Sequence, residues 1–508
     1  MINDQTQPKN QMRLKNLVRN VSFSRLVAIT ALAALSVFVV TFVLTTSISA
    51  QQLPIKNGDF SEWSDGKPVG WDVAVSVNNG GDQPLSVVRE GSNSSLELSG
   101  DRNTRAWQSV SQSFPVKGGR SYRIRFSAKT NGLQTLGNQY ENCYVGVLQK
   151  HERGQVLRRE IRHQNSPEYL ENSIVVRTHN FAASATLTIL LTNSGTLNVK
   201  AVSVEELKPK DSFKILCDEL NRSYSYFEHK KIDWPALTQK YRPQLADCDA
   251  DTFVDIAATM LAEVKDTHIW LEHRRNRVSK YVPQFEKNYD FDFIEQDLKK
   301  GRSFGTFGIT ALTSDGFGYV RISSLAVEPN TAEKLIADLQ NRLLPTKGII
   351  LDLRRNPGGA EKIAFSVANL FASEETIYGR SKFRASIDHT DFYEGTPRVL
   401  EPTKNSSTKP VICLIGPGTV SSAEAFAMMM KAIPTATVIG QPTRGASGKP
   451  EPIQLPNGVD VWFSRWCSMM PDGTLIEDDG VPPDETIVHG EGDPTYIRAV
   501  EILKNSKK

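Results

Sequence analysis

Residues 410–433, PVICLIGPGTVSSAEAFAMMMKAI, decide how the C-terminal half of this chain is read. An apolar run with β-branched residues enters Gly416-Pro417-Gly418, passes two serines and continues with helical spacing. That is a buried strand turning into a helix. Small residues at the turn let backbone approach a ligand, and the first N–H groups of a helix have no intrahelical acceptor. A serine at such a corner can be an exposed nucleophile beside donors for an oxyanion. It is also the ordinary N-cap residue, and Ser422-Ala423-Glu424 reads as a helix opening.

Working outward, KGIILDLRRNPGG (347–359) is a second buried strand, ending in Asn356-Pro357-Gly358-Gly359. Paired glycines at a strand's C-terminal end can offer N–H groups to developing negative charge. The segment lacks the Lys and the spacing of a nucleotide-binding P-loop. GFGYVRISSL (316–325), TATVIGQPTRG (435–445) and VDVWFSRWCSMM (459–470) read as further strands. TAEKLIADLQNRLL (331–344) and AEKIAFSVANLF (360–371) read as helices. Strands alternating with helices predict an α/β core over 316–490, with a C-terminal helix or tail over 491–508.

Upstream, FKILCDELNRSYSYF, DWPALTQKYRPQL and DADTFVDIAATMLAEV carry helical periodicity, with Asp233 and Asp251 ahead of apolar runs. They predict a helical cap over 209–275, joined to the core by a mixed, polar connecting segment at 276–315. Residues 51–208 read differently. Alternating runs such as SYRIRFSAKT and ATLTILLTN recur between Gly, Asn, Ser and Asp. They predict a β-sandwich of the jelly-roll kind. Its opening, IKNGDFSEWSDGKPVGWDV, and its close, LNVKAVSVEEL, resemble the galactose-binding-like domains, which include many carbohydrate-binding modules. That resemblance implies a glycan as a partner at this module, with Trp63, Trp107 and Tyr140 as stacking candidates and Trp71 in the core.

The whole-chain charge of +3 comes from the N-terminus. Lys9, Arg13, Lys15, Arg19 and Arg25 stand against Asp4, a local +4 followed by residues 26–50 without any charge. The rest of the chain therefore carries −1, which gives no electrostatic basis for nucleic-acid binding. Basic residues before a long apolar run form an export signal or a membrane anchor, and Ser49-Ala50 are small enough for cleavage. Either way the body of the chain is expected outside the cytoplasm, with membrane contact only through this segment. Five cysteines show no metal spacing, so no metal or other cofactor is expected. Cys217 and Cys248 could pair in an oxidising compartment or stay free.

Taken in order, GYVRISSL, GIILDLRRNPGG, GPGTVSSAEAF, VIGQPTRGASG and IEDDGVPPDE resemble the C-terminal processing peptidases. This family of serine peptidases includes the tail-specific proteases and the tricorn protease core. The resemblance runs from about 211 to 488. It implies a ClpP/crotonase-like core and a nucleophile three residues before the helix Glu, Ser421, with Ser422 as the alternative. It implies an oxyanion hole from Gly358, Gly359 and the N–H of Ser422. The processing branch uses a Ser–Lys dyad, but the matching position here is Ala446, and Lys449 lies three residues on. Residues 276–315 are also too few for the PDZ domain usual in that branch. Both differences imply the tricorn-like branch, whose histidine base maps onto His268 after Thr267. Glu477 would assist, so that Thr267 and Glu477 orient and charge-stabilise the imidazole, with Asp266 as a further orienting candidate. The implied activity is hydrolysis of peptides or unfolded proteins by a serine-type endopeptidase. The alternative is a non-catalytic peptide-, lipid- or glycan-binding protein on the same fold. The core offers no carboxylate pair for a sugar-cleaving site.

Overall fold

Strands Ile349–Asp352 and Val411–Ile415 are buried at every residue, as runs that are apolar but for Asp352 must be when both faces of a parallel sheet are covered. They are the centre of a seven-stranded sheet in the order Arg302–Ser303, Gly308–Leu312, Gly318–Ile322, Ile349–Asp352, Val411–Ile415, Ala436–Gly440, Glu485–Thr486. Pairing is parallel from Gly318–Ile322 onward and antiparallel before it. The structure, a computed structural model, describes residues 52–506 apart from 54, 77–85, 91–92, 101–106, 134–142, 151–155, 163–164, 193 and 404–405. The expected leader at 26–50 and Tyr140 lie outside the described residues, as does the side chain of Trp107. Among the described residues no helix is long and apolar enough to cross a membrane.

Residues 72–207 form two antiparallel sheets. One runs Ser166–Arg177, Ser121–Asn131, Gly195–Leu207, Asn93–Gly100, Ser86–Glu90. The other runs Val156–Arg162, Cys143–Lys150, Ser184–Thr192, Trp107–Pro115, Asp72–Ser76. Inward-facing Val, Leu, Ile and Phe side chains from both fill one core, the alternation a two-sheet sandwich requires. Trp71 is buried there and donates its indole N–H to the carbonyl of Lys56 (3.1 Å). Trp63 is half-buried, with its indole N–H on the carbonyl of Phe60 (2.8 Å).

Helices α1 (Ser212–Ser223), α2 (Trp234–Leu245) and α3 (Ala250–Ala262) form the cap. Asp233 caps α2 through Ala236 N–H, and Asp249 caps α3 through two N–H groups. The cap does not stand apart. Strands Trp270–His273 and Asn276–Val278 join Pro450–Gln454 and Asp460–Ser464 in a four-stranded sheet, and cap and core share one apolar cluster. The segment expected to be a plain connection carries α4 (Phe291–Asp297) and two strands of the core sheet. The core therefore begins upstream of 316. VDVWFSRWCSMM, read as one strand, breaks at Arg465: Asp460–Ser464 pairs within the cap–core sheet, Trp466–Met469 pairs with Thr376–Arg384.

Helices α5 (Pro329–Asp338), α6 (Glu361–Ala368) and α7 (Ser422–Lys431) cover one face of the core sheet, and α4 with α8 (Pro494–Asn505) the other. Arg354, wholly buried, ties the layers together. It donates to Asp352 (2.6 Å), to Asp493 (2.7 Å) and to the carbonyl of Asn288 (2.9 Å). Asp493 also caps α8 through Tyr496 N–H. A buried guanidinium is tolerable only when paired in this way. All five cysteines are free thiols, Cys217 and Cys248 included, and burial pushes the Cys217 thiol up to about 12.

Candidate active site

Two loops at the C-terminal ends of adjacent parallel strands, where α/β sheets place their sites, are locked together. The N–H of Val420 donates to the carbonyl of Asn356 (2.9 Å), and the Thr419 hydroxyl to the carbonyl of Leu353 (3.0 Å). Asn356 is fully buried and pins its own loop, donating to the carbonyl of Ile322 (3.0 Å). Gly358 and Gly359 turn the chain at φ +96 and +136. A Cβ on Gly358 would stand 2.9 Å from the Ser421 Cβ, and one on Gly359 would stand 2.2 Å from the backbone of Leu325. Only glycine fits both the angles and the space.

Ser421 sits at φ 60, ψ −123, a region costing a non-glycine residue about 1–3 kcal/mol. An ordinary N-cap does not need it. A serine held on a sharp strand-to-helix turn does, because that turn presents its hydroxyl outward. Glu424 holds the strain in place. It is fully buried, and its carboxylate accepts from the N–H groups of Ser421 (2.8 Å), Gly445 (2.7 Å) and Ala446 (3.0 Å) and from the Thr443 hydroxyl (2.7 Å). Burial pushes this carboxyl up to about 7, against the pull of the four donors. Glu424→Leu is expected to leave these donors without an acceptor. It should cost about 2–4 kcal/mol in denaturant unfolding and lower any activity of the site with it.

Ser421, Ser422, Gly358, Gly359, Thr267 and His268 all line one cavity of about 1030 Å3. No hydrogen bond joins Ser421 to His268 among the described contacts, and in unliganded sites such contacts are often long. His268 is 8% exposed. Its Nδ1 lies 3.0 Å from the carbonyl of Ser447. A carbonyl only accepts, so Nδ1 carries the proton and the neutral ring keeps its Nε2 lone pair free for a proton. The backbone N–H of His268 donates to Asp266 (2.6 Å), whose other oxygen accepts from Tyr224 (2.7 Å).

Glu477 does not reach the imidazole. It accepts from the N–H and the hydroxyl of Ser447, both at 3.0 Å, and pairs with Lys230 at 3.0 Å. It therefore acts on His268 only through the Ser447 backbone. Burial and the nearby charge of Asp266 push Glu477 up, with Lys230 opposing, and the same carboxylates hold Lys230 above its ordinary value. Tyr226 closes the network on the Ser447 hydroxyl at 2.5 Å. Thr267 lies beside the ring in the cavity wall, with no hydrogen bond to it among the described contacts. Glu424, Ser447, Tyr226 and Lys230 escaped the sequence reading as members of the site. Only Glu424 had a signal, its place three residues after Ser421.

The two glycines are not equivalent as donors. Gly358 N–H is spent on the Asn356 side chain (2.9 Å), whereas Gly359 N–H and Ser422 N–H have no acceptor among the described hydrogen bonds. The Ser422 hydroxyl donates to the carbonyl of Gly359 (2.8 Å). Lys449 lines the same cavity, but it is exposed and lies 3.7 Å from Glu451. Among the described residues no three His, Cys, Asp or Glu side chains converge as metal ligands.

Residues 316–487 match the model of peptidase family S41. The carboxy-terminal processing protease CtpA of Bacillus subtilis is 28% identical over 177 residues, covering 34% of this chain and 35% of its own. The carboxyl-terminal-processing protease of Synechocystis is 27% identical over 198 residues, covering 37% of this chain and 43% of its own. The chain thus aligns with less than half the length of these curated relatives. A crystal structure from Parabacteroides merdae, described as a candidate peptidase, superposes with a TM-score of 0.51 at 25% identity, over 59% of this chain and 98% of that one. His268 lies outside the segment that the family model matches. The loops that hold Ser421 and the glycine pair thus fall within a segment that matches peptidase family S41, a match that with the CtpA-like relatives supports a serine peptidase.

Proposed function

We propose that this chain is a serine endopeptidase acting on peptides or unfolded proteins, with Ser421 as nucleophile and His268 as general base. The observation that carries the reading is the strained Ser421 backbone, fastened by Glu424, in a cavity shared with a histidine of fixed tautomer. His268 Nε2 takes the Ser421 proton as Oγ attacks the scissile carbonyl, then returns it to the leaving amine. Gly359 N–H and Ser422 N–H receive the oxyanion. Ser447 holds the ring, and Glu477 with Lys230 holds Ser447. Gly358 serves as the close-packed turn rather than as a donor.

A histidine base and the absence of a lysine at Ala446 favour the tricorn-like branch, without a PDZ domain. We read the sandwich as a galactose-binding-like module and residues 1–50 as the device that places the body outside the cytoplasm. The test is hydrolysis of unstructured fluorogenic peptides by the full chain. Cleavage is expected, and Lys449→Ala should keep kcat/KM within about threefold, because its exposed charge is loosely paired. A loss of about 10³-fold in that variant would move the base from His268 to Lys449.

A further inference from the structure

The cleft around Ser421 has a wall that the family-matched segment does not supply. Leu170, Glu171, Asn172 and Ser173 of the sandwich edge strand Ser166–Arg177 line it, next to Arg222 at the end of α1. The sandwich is fastened there. Ser173 donates to Glu219 (2.8 Å), the Arg177 guanidinium to Asp460 (2.8 Å), and the Arg177 N–H to the Gln454 side chain (3.3 Å).

Three guanidinium groups gather at this end. Arg384 donates to the carbonyls of Asn221 (3.4 Å) and Tyr224 (3.0 Å), on either side of Arg222. Ser225 N–H donates to the carbonyl of Ser464, the neighbour of Arg465. Arg222, Arg384 and Arg465 all line the cleft, and each has a buried Nε with no acceptor. Arg384 is 9% exposed, and burial holds it below its ordinary value. Arg222 has no hydrogen-bond or ion-pair partner among the described residues. The carboxylates already lining the cleft do not satisfy the group. Glu451 stands 4.0 Å from Arg465 Nε, Glu171 accepts from Ser127 (2.8 Å), and Glu361 is paired with Arg398. Three arginines on one cleft wall, of which Arg222 has no described partner for any of its donors, leave positive charge there that an anion in the cleft would complete. The planar fork of arginine suits a carboxylate. Phe383, Tyr393 and Trp466, which line the cleft beside it, suit an apolar neighbour.

We infer that the sandwich end of the cleft is a subsite for a substrate carboxylate, held by Arg222, Arg384 and Arg465. The sandwich closes this subsite, so the β-module shapes what the site accepts. That the carboxylate belongs to a peptide rests on the peptidase reading; the arginine cluster does not. It comes from an acidic side chain or from a free C-terminus, and the test separates these.

Full-length protein with Ser421→Ala, which cannot turn over, is titrated by fluorescence anisotropy with three labelled peptides of one apolar sequence. One carries an internal Glu and an amidated end, one Gln and an amidated end, one Gln and a free end. At least one carboxylate peptide is expected to bind about tenfold tighter than the neutral one. Arg222→Gln should erase that advantage while leaving the neutral peptide within about twofold, and Arg222→Lys should restore part of it. Which peptide gains identifies the source of the carboxylate. Equal binding of all three peptides, equal weakening of all three by Arg222→Gln, or no binding of any of them overturns the inference. If the wild-type chain cleaves no peptide yet the discrimination persists, the peptidase reading falls and the subsite stands.

Discussion

Ser421→Ala is expected to lower kcat for peptide hydrolysis by about 10⁴-fold or more, to near the background of the assay, with little change in KM. The backbone there already pays for an outward-facing side chain at φ 60, and Ala can occupy the same turn, since Glu424 fastens the main-chain N–H and not the hydroxyl. The fold should therefore survive, and the loss should be chemical. Far-UV circular dichroism and unfolding midpoints within error of the parent, alongside lost turnover, would show this separation. Ser422→Ala supplies the contrast. Its hydroxyl is committed to the carbonyl of Gly359, so the variant should lose at most about tenfold, through a loosened oxyanion loop.

His268→Ala is expected to cost about 10³-fold in kcat, in the range of a positioned general base. The ring is 8% exposed, and its Nδ1 proton is spent on the Ser447 carbonyl, so one nitrogen remains to act. Glu477→Gln should act more weakly. It keeps an oxygen for Ser447 but unbalances Lys230, and it touches the ring only through one carbonyl. A loss of about tenfold is the expected scale.

Much of the core could be read locally. Ile349–Leu351 and Val411–Ile415 are apolar without interruption, and the glycines after them are forced by close approach, so strand ends and site loops follow from nearby residues. The helices of the cap announce themselves by period and by Asp233, whereas α3 is capped by Asp249 and the Asp251 read from the sequence lies in its first turn. What was not legible depends on pairing between distant segments. Nothing in 270–278 marks it as a partner of 450–464, and the break at Arg465 is invisible because no Gly or Pro separates the two flanking strands. The site shows the same limit. Glu477 was named beside the histidine only through the family resemblance, and its link to the ring by way of Ser447 depends on where two loops meet. The share of the cleft wall taken by Leu170–Ser173 has no sequence signal, since an edge strand reads like any other strand.

The central claim is that Ser421 is the nucleophile, and the most direct measurement of it is the site of covalent capture. Full-length protein treated with a serine-reactive phosphonate and mapped by peptide mass spectrometry should carry one adduct, on Ser421. The adduct should form far more slowly in His268→Ala and not at all in Ser421→Ala. An adduct on Ser422, or peptide hydrolysis that continues unchanged in Ser421→Ala, would contradict the assignment.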